Sequence, residues 1–174
     1  LPDIGKHLTA GEHTIALKMI DGSDMPYAIT VNYHAVTPSS SPECPLTLTV
    51  ALTDSQIKEG SGIEANVTVT NRTGDGLPMP LAIVGIPGGL EPRHDQLKEL
   101  VKAERIAAYE VRGRDVVLYW REMKPNQRIE LPLSLVAAVP GTYTAPAGRT
   151  YLYYTDEHKH WLGGPEITIV PRNP

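Results

Sequence analysis

The sequence predicts an all-β fold, an antiparallel β-sandwich that carries one amphipathic α-helix. Short runs rich in valine, isoleucine, leucine and tyrosine recur along the chain, separated mostly by glycine, proline, asparagine and aspartate, as strands and turns are in a sandwich. Residues 92–106 contain no glycine, begin with proline and are rich in helix formers, so they predict the helix. At 174 residues, with 41% hydrophobic residues, the chain can bury one full-sized core.

The N-terminal part of the chain predicts two strands that belong to a different structural unit. Residues 12–20 alternate imperfectly between apolar and polar side chains, residues 21–24 form a turn cluster, and residues 27–33 supply a return strand. An isolated two-stranded hairpin is only marginally stable in water. We therefore expect residues 1–36 to be closing β-strands that pack on the rest of a preceding domain.

A linker follows, because residues 37–45 are mainly proline and serine, which favour an extended backbone and contribute little to a core. This boundary assigns residues 46–174 to the last domain. We expect the folded sandwich to extend from about Cys44 to Arg172. The strands predicted after the linker are 46–52, 63–70, 79–86, 109–111, 116–120, 129–136, 149–154 and 167–170.

The predicted helix, residues 92–106, has two distinct faces. Leu97, Leu100 and Val101 recur at three-to-four spacing and predict the side that covers the sandwich. The other side is cationic and is expected to face solvent; its members are His94, Lys98, Lys102 and Arg105.

The composition excludes several classes of function. With 16 Lys and Arg against 20 Asp and Glu, the formal charge of −4 gives no positive field that would attract nucleic acid. No apolar run approaches the roughly 18 residues of a membrane helix, so we expect no membrane insertion. Cys44 has no partner for an intrachain disulfide or a cysteine-based zinc cluster. Because the chain lacks an initiator methionine, we expect an excised fragment, and we expect it to be monomeric in isolation.

Three sequence features occur in a fixed order from Leu77 onward. They are an apolar strand that leads through Gly89-Leu90-Glu91-Pro92 into the helix, the strand Val117-Leu118-Tyr119 after a tight turn, and the aromatic strand Tyr151-Leu152-Tyr153-Tyr154-Thr155-Asp156. This order resembles the receptor-binding domain that ends α2-macroglobulins, thioester-containing proteins and their bacterial relatives. Residues 11–18 and 27–33 resemble the closing strands of the CUB-like region that precedes that domain.

The resemblance implies a non-catalytic module of a protease trap, secreted to the extracellular space or the periplasm. The thioester of that family needs a cysteine followed closely by Glu-Gln, whereas Cys44 is followed by Pro45. In animal members, clearance receptors bind two lysines on the helix; here one of those positions is Lys98 and the other is His94. Lys102 restores a pair four residues apart.

The resemblance therefore assigns partner binding to His94, Lys98, Lys102 and Arg105, with a receptor or other domains of the same trap as the protein partner. The opposing interpretation is a plain solvated helix, because acidic residues balance the cations over 91–105. Those acidic residues are Glu91, Asp95, Glu99 and Glu104.

Two other classes of function remain as alternatives. His158 and His160, beside Asp156 and Glu157, could hold a metal, but their spacing is unspecific, and we expect residues 156–160 to be a solvated turn before the last strand. An adhesin-like sandwich could bind carbohydrate through exposed aromatic residues, although tyrosines at alternate strand positions also fit a core. The aromatic candidates are Trp120, Trp161, Tyr143, Tyr151, Tyr153 and Tyr154.

No catalytic residue, cofactor or small-molecule substrate is predicted, since neither Gly-x-Ser-x-Gly nor His-Glu-x-x-His occurs in the sequence. Asn66-Val67-Thr68 and Asn71-Arg72-Thr73 are glycosylation sequons that matter only in a eukaryotic secreted protein.

Overall fold

The computed structural model describes residues 6, 8, 9, 11–16, 18–23, 26–28, 30 and 34–172. The chain divides into two compact units, Leu1–Tyr33 and His34–Pro174. In the first unit, the described residues of the predicted strands 12–20 and 27–33 belong to no strand, and residues 17, 29 and 31–33 lie outside the described part. The division into a preceding domain at 1–36, a linker at 37–45 and a sandwich at 46–174 stays a prediction.

The described part of the second unit contains one α-helix among short strands. In chain order the elements are β1 (Leu46–Leu52), β2 (Gln56–Lys58), β3 (Gly62–Asn71), β4 (Leu77–Pro78), β5 (Pro80–Gly85), β6 (Leu90–Pro92), α1 (His94–Lys102), β7 (Ala108–Arg112), β8 (Asp115–Tyr119), β9 (Glu122–Met123), β10 (Arg128–Ala137), β11 (Gly141–Thr144), β12 (Gly148–Leu152), β13 (Thr155–Leu162) and β14 (Glu166–Val170).

Two antiparallel sheets form the body of this unit. One has four strands in the order β1-β3-β10-β6, and the other has five in the order β13-β12-β5-β8-β7. A three-stranded sheet, β11-β14-β2, contains a parallel pair between β14 and β2, and β4 pairs with β9. The predicted all-β sandwich with one helix is confirmed.

The core forms where the inward side chains of the two larger sheets meet. Alternate residues of β3 are buried, as expected for a strand with one face on a core and one in solvent. All six residues of β5 are buried, because that strand lies in the middle of its sheet and carries apolar side chains on both faces. On the outward face of β5, Leu81 and Ile83 cluster with Val117 beneath Tyr119 and Tyr151.

Each strand predicted after the linker overlaps an observed strand, but the segment 156–160 was expected to be a turn and that expectation is wrong. It lies inside β13, which pairs with β12 in the register Thr150↔His160. The tight turn instead falls at Tyr153 and Tyr154, just after β12. Period-two alternation is weak in β13, because its half-buried residues are polar or charged ones such as His158 and Lys159.

The predicted linker is attached to the sandwich along β13. The backbone N–H of Ser41 donates to the carbonyl of Lys159 at 2.8 Å. The backbone N–H of Trp161 donates to Oγ of Ser40, also at 2.8 Å. A little further on, Cys44 is 4% exposed and belongs to the core. Residues 40–44, which we call the edge segment, therefore cover the outer edge of the five-stranded sheet.

Candidate functional site

Helix α1 is shorter than predicted, because backbone pairing competes at its N-terminal end. Pro92 belongs to β6 and lies opposite Leu135, and the N–H of Arg93 donates to the carbonyl of Ser134 at 3.0 Å. The helix therefore begins at His94. It ends at Lys102, and Glu104 has a φ of 55°, which is incompatible with continuing a right-handed helix.

The apolar face of α1 packs as the spacing predicts. Leu97 is fully buried, and Leu100 and Val101 are half-buried against the same core. Beyond the helix, the indole N–H of Trp120 donates to the carbonyl of Arg105 at 2.9 Å and fixes the chain that leaves it. The orientation of the solvent face is therefore set by the core.

No helix in the part of the chain that the structure describes is both long and apolar enough to cross a membrane.

A residue that the sequence analysis did not single out, Gln96, binds α1 to the edge of β10. Its amide nitrogen donates to the carbonyl of Pro132 at 2.5 Å, and its amide oxygen accepts from the N–H of Ser134 at 3.1 Å. The side chain thus substitutes for a neighbouring strand where β6 has ended. A glutamine beside the buried Leu97 is the only sequence signal of this contact.

The four predicted partner-binding residues are all exposed, but they fall into two groups. The guanidinium of Arg105 donates to the carbonyl of Glu130 at 2.8 Å, so it also covers the β10 edge. His94, Lys98 and Lys102 are separated by four residues each and lie along one side of α1. Within the described residues none of these three side chains makes a hydrogen bond or ion pair, even with Asp95 or Glu99 nearby.

The two histidines of the metal alternative have separate partners. Nδ1 of His158 lies 3.3 Å from Oγ of Ser41, and its Nε2 lies 3.2 Å from a carboxylate oxygen of Glu43. Nδ1 of His160 accepts from the backbone N–H of Leu48 at 3.3 Å. Burial, followed by the charge of Arg72, lowers the pKa of His160. Among the described residues no group of three or more His, Cys, Asp or Glu could hold a metal ion.

Neither tryptophan of the carbohydrate alternative has a fully exposed ring. Trp120 is 5% exposed. Trp161 is half-buried, with the guanidinium carbon of Arg149 5.2 Å from its ring centroid. Of the six aromatic candidates, Tyr153 and Tyr154 in the turn after β12 are the exposed ones, at 53% and 78%, and their rings pack edge to face.

No protein-family model matches this sequence, and no curated protein matches it. Among solved structures, Salmonella α2-macroglobulin reacted with methylamine matches with a TM-score of 0.60 and 20% identity, over 77% of this chain and 10% of that one. Native Escherichia coli α2-macroglobulin from domain MG7 to the C-terminus matches with a TM-score of 0.58 and 18% identity, over 77% of this chain and 25% of that one.

Trypsin-activated E. coli α2-macroglobulin matches with a TM-score of 0.60 and 16% identity, over 77% of this chain and 11% of that one. The chain thus spans about a tenth of the length of the Salmonella protein and a quarter of the E. coli fragment. At these identities the likeness is one of fold. The fold expected from the sequence resemblance, that of the C-terminal region of bacterial α2-macroglobulins, is confirmed.

Proposed function

We propose that this chain is a non-catalytic protein-interaction module from the C-terminal part of an α2-macroglobulin-like protease trap. The shared fold with the C-terminal region of bacterial α2-macroglobulins supports this proposal. In this role the domain binds a receptor or other domains of the trap, and the trap acts outside the cell or in the periplasm.

We further propose that the partner binds the solvent face of α1. The observation that carries this step is the row of His94, Lys98 and Lys102, whose exposed side chains have no partner among the described residues. Like charges four residues apart cost a helix a few tenths of a kcal/mol, so the row adds nothing to the fold itself. Because Leu97 and Gln96 hold the helix rigidly, acidic groups of a partner can meet the row with little reorganisation.

Arg105 has a different role in this proposal. Its guanidinium is held by the Glu130 carbonyl, so we assign it to the support of the helix and to the rim of the site. The carbohydrate alternative used exposed tryptophan and tyrosine rings as a strip; Trp120 is buried and Trp161 is half-buried beside Arg149, which leaves Tyr153 and Tyr154 as its exposed members. We therefore carry forward only the protein-binding role.

The test compares two double variants that remove the same charge. In Lys98→Ala/Lys102→Ala we expect affinity to fall about 10-fold, since rigidly held charges at an interface are worth at least about 1.4 kcal/mol together. The probes are an acidic repeat of a clearance receptor and the remainder of the full-length gene product, each titrated by surface plasmon resonance. Lys58→Ala/Lys124→Ala, whose lysines are exposed and lie outside α1 in the sequence, is the matched control.

The free energy of unfolding of both double variants should lie within about 0.5 kcal/mol of that of the unaltered chain, because surface substitutions have small effects on stability. Equal binding by the two variants on both probes would remove the helix from the proposed function. Affinity that does not weaken as salt rises from about 50 to about 500 mM would argue against a charge-based contact.

A further inference from the structure

The outer edge of β7 has no hydrogen-bonding partner among the described residues, although α1 lies near part of the strand. In the part of the chain that the structure describes, β7 pairs only with β8, and no other backbone or side-chain group bonds to its far side. Two other stretches of strand edge are covered: the edge segment bonds to β13, and Gln96 and Arg105 bond to β10. Unpaired backbone groups along a regular strand are a template for a further strand.

Strand β7 also lacks the usual obstacles to strand addition. Its register with β8 is continuous from Ala108↔Tyr119 to Arg112↔Asp115, so no bulge turns the edge away. It contains neither proline nor lysine. Its two charges, Glu110 and Arg112, form an ion pair with each other and so present no net charge to an approaching strand.

The charge pattern of β7 is self-complementary in one antiparallel register. If two copies pair with Val111 opposite Val111, Glu110 of each copy lies opposite Arg112 of the other. Opposite charges directly across a strand pair are favourable. Centring the pair on Glu110 instead places two carboxylates opposite each other. Hydrogen bonds from Tyr119 and then Arg112 lower the pKa of Glu110, so this carboxylate is ionised at neutral pH.

We propose that two copies of this chain associate through β7, in an isologous antiparallel pair centred on Val111 that joins their five-stranded sheets. This departs from the expectation of a monomer and is independent of the α1 site. One short strand edge buries less area than a standard interface, so the association is weak and depends on concentration.

Sedimentation equilibrium of the whole chain, from about 10 µM to about 1 mM, is the first measurement, because small interfaces associate in that range. We expect the average molecular mass to rise towards that of the dimer as the concentration increases. Lys98→Ala/Lys102→Ala should associate equally well, which separates this proposal from the α1 site. A chain that stays monomeric throughout overturns the proposal.

The register is tested by charge reversal. Glu110→Arg and Arg112→Glu should each lose at least about 10-fold in association alone, since each places like charges opposite each other. In an equimolar mixture, a copy of one variant can pair with a copy of the other. The introduced arginine at position 110 then lies opposite the introduced glutamate at position 112, and the original Arg112 and Glu110 of the two copies also lie opposite each other. We expect the mixture to regain the association of the unaltered chain. A mixture that associates no better than either variant alone overturns the register. Thermal melts of each variant check that the monomers fold.

Discussion

Asn71 shows how much one side chain contributes at the end of a strand. It is 1% exposed, yet all its hydrogen-bonding positions are used. Its amide nitrogen donates to the carbonyls of Asp75 and Lys124 at 2.7 and 2.9 Å. Its oxygen accepts from the N–H and the hydroxyl of Thr73 at 2.9 and 2.8 Å. The sequon there is therefore structural, whereas the exposed Asn66 is the only one of the two whose amide is free in the folded chain.

Asn71→Ala should lower the free energy of unfolding by about 3 kcal/mol, because it leaves several buried backbone groups without a partner. The measurement is urea unfolding followed by circular dichroism. Asn66→Ala, on the solvent face of the same strand, is the control and should change stability by no more than about 0.5 kcal/mol. Similar losses for the two variants would contradict the role given to Asn71.

His160 makes stability depend on pH in a predictable direction. Its pKa is lowered in the folded chain, first by burial and then by Arg72, so the unfolded chain takes up the proton at higher pH. Its contribution is complete above the ordinary value of 6.5 and is lost as pH falls from there through the folded pKa. His160→Asn, which keeps an acceptor for the Leu48 N–H, should show a smaller loss of melting temperature between about pH 7 and pH 5 than the unaltered chain. An unchanged pH profile would count against this assignment.

At the level of elements, Gln96 accounts for how a short helix is held to a sheet edge. The helix spans His94–Lys102 and has no side-chain cap at its N-terminus, so its position depends on packing and on this amide. Gln96→Ala should cost about 1.5 kcal/mol in chemical unfolding, because the Ser134 N–H and the Pro132 carbonyl lose their partner. Lys98→Ala, two residues on, should cost no more than about 0.5 kcal/mol. Equal costs would mean that the amide contact adds nothing.

The strands that could be predicted from sequence are those with a regular apolar face. Strands β1, β3 and β10 alternate because one side meets the core, and β5 is apolar throughout because both of its sides are covered. Strand β13 has no such pattern. Its position depends on pairing with β12 across the turn at Tyr153 and Tyr154 and on cover from the edge segment, and the edge segment is distant in sequence. The shortest strands, such as β4 and β9, are likewise defined only by their partners.

The candidate site was partly predictable for the same reason. Three-to-four spacing places Leu97 inward, so the opposite residues Lys98 and Lys102 must face solvent. The hydrogen bond from Arg105 to Glu130 involves residues 25 apart in sequence, and helical spacing carries no information about it.

For the molecule as a whole, two truncations test whether the predicted linker, residues 37–45, is a free connector or part of the sandwich. A fragment of residues 34–172 retains its own core and should unfold cooperatively. A fragment of residues 46–172 should be about 3 kcal/mol less stable, because it loses the Ser40 and Ser41 contacts and the buried Cys44. Differential scanning calorimetry measures both. Equal stability of the two fragments would support the prediction that residues 37–45 are a free connector.

The edge segment also has a mechanical consequence. It runs antiparallel to β13, with Ser40 beside Trp161 and Glu43 beside His158. Tension that arrives through the chain before residue 34 therefore loads the Ser40 contacts before any core strand. If these bonds break one after another, residues 34–43 are released as a flexible connector of up to about 35 Å, while the sandwich from Cys44 onward stays folded.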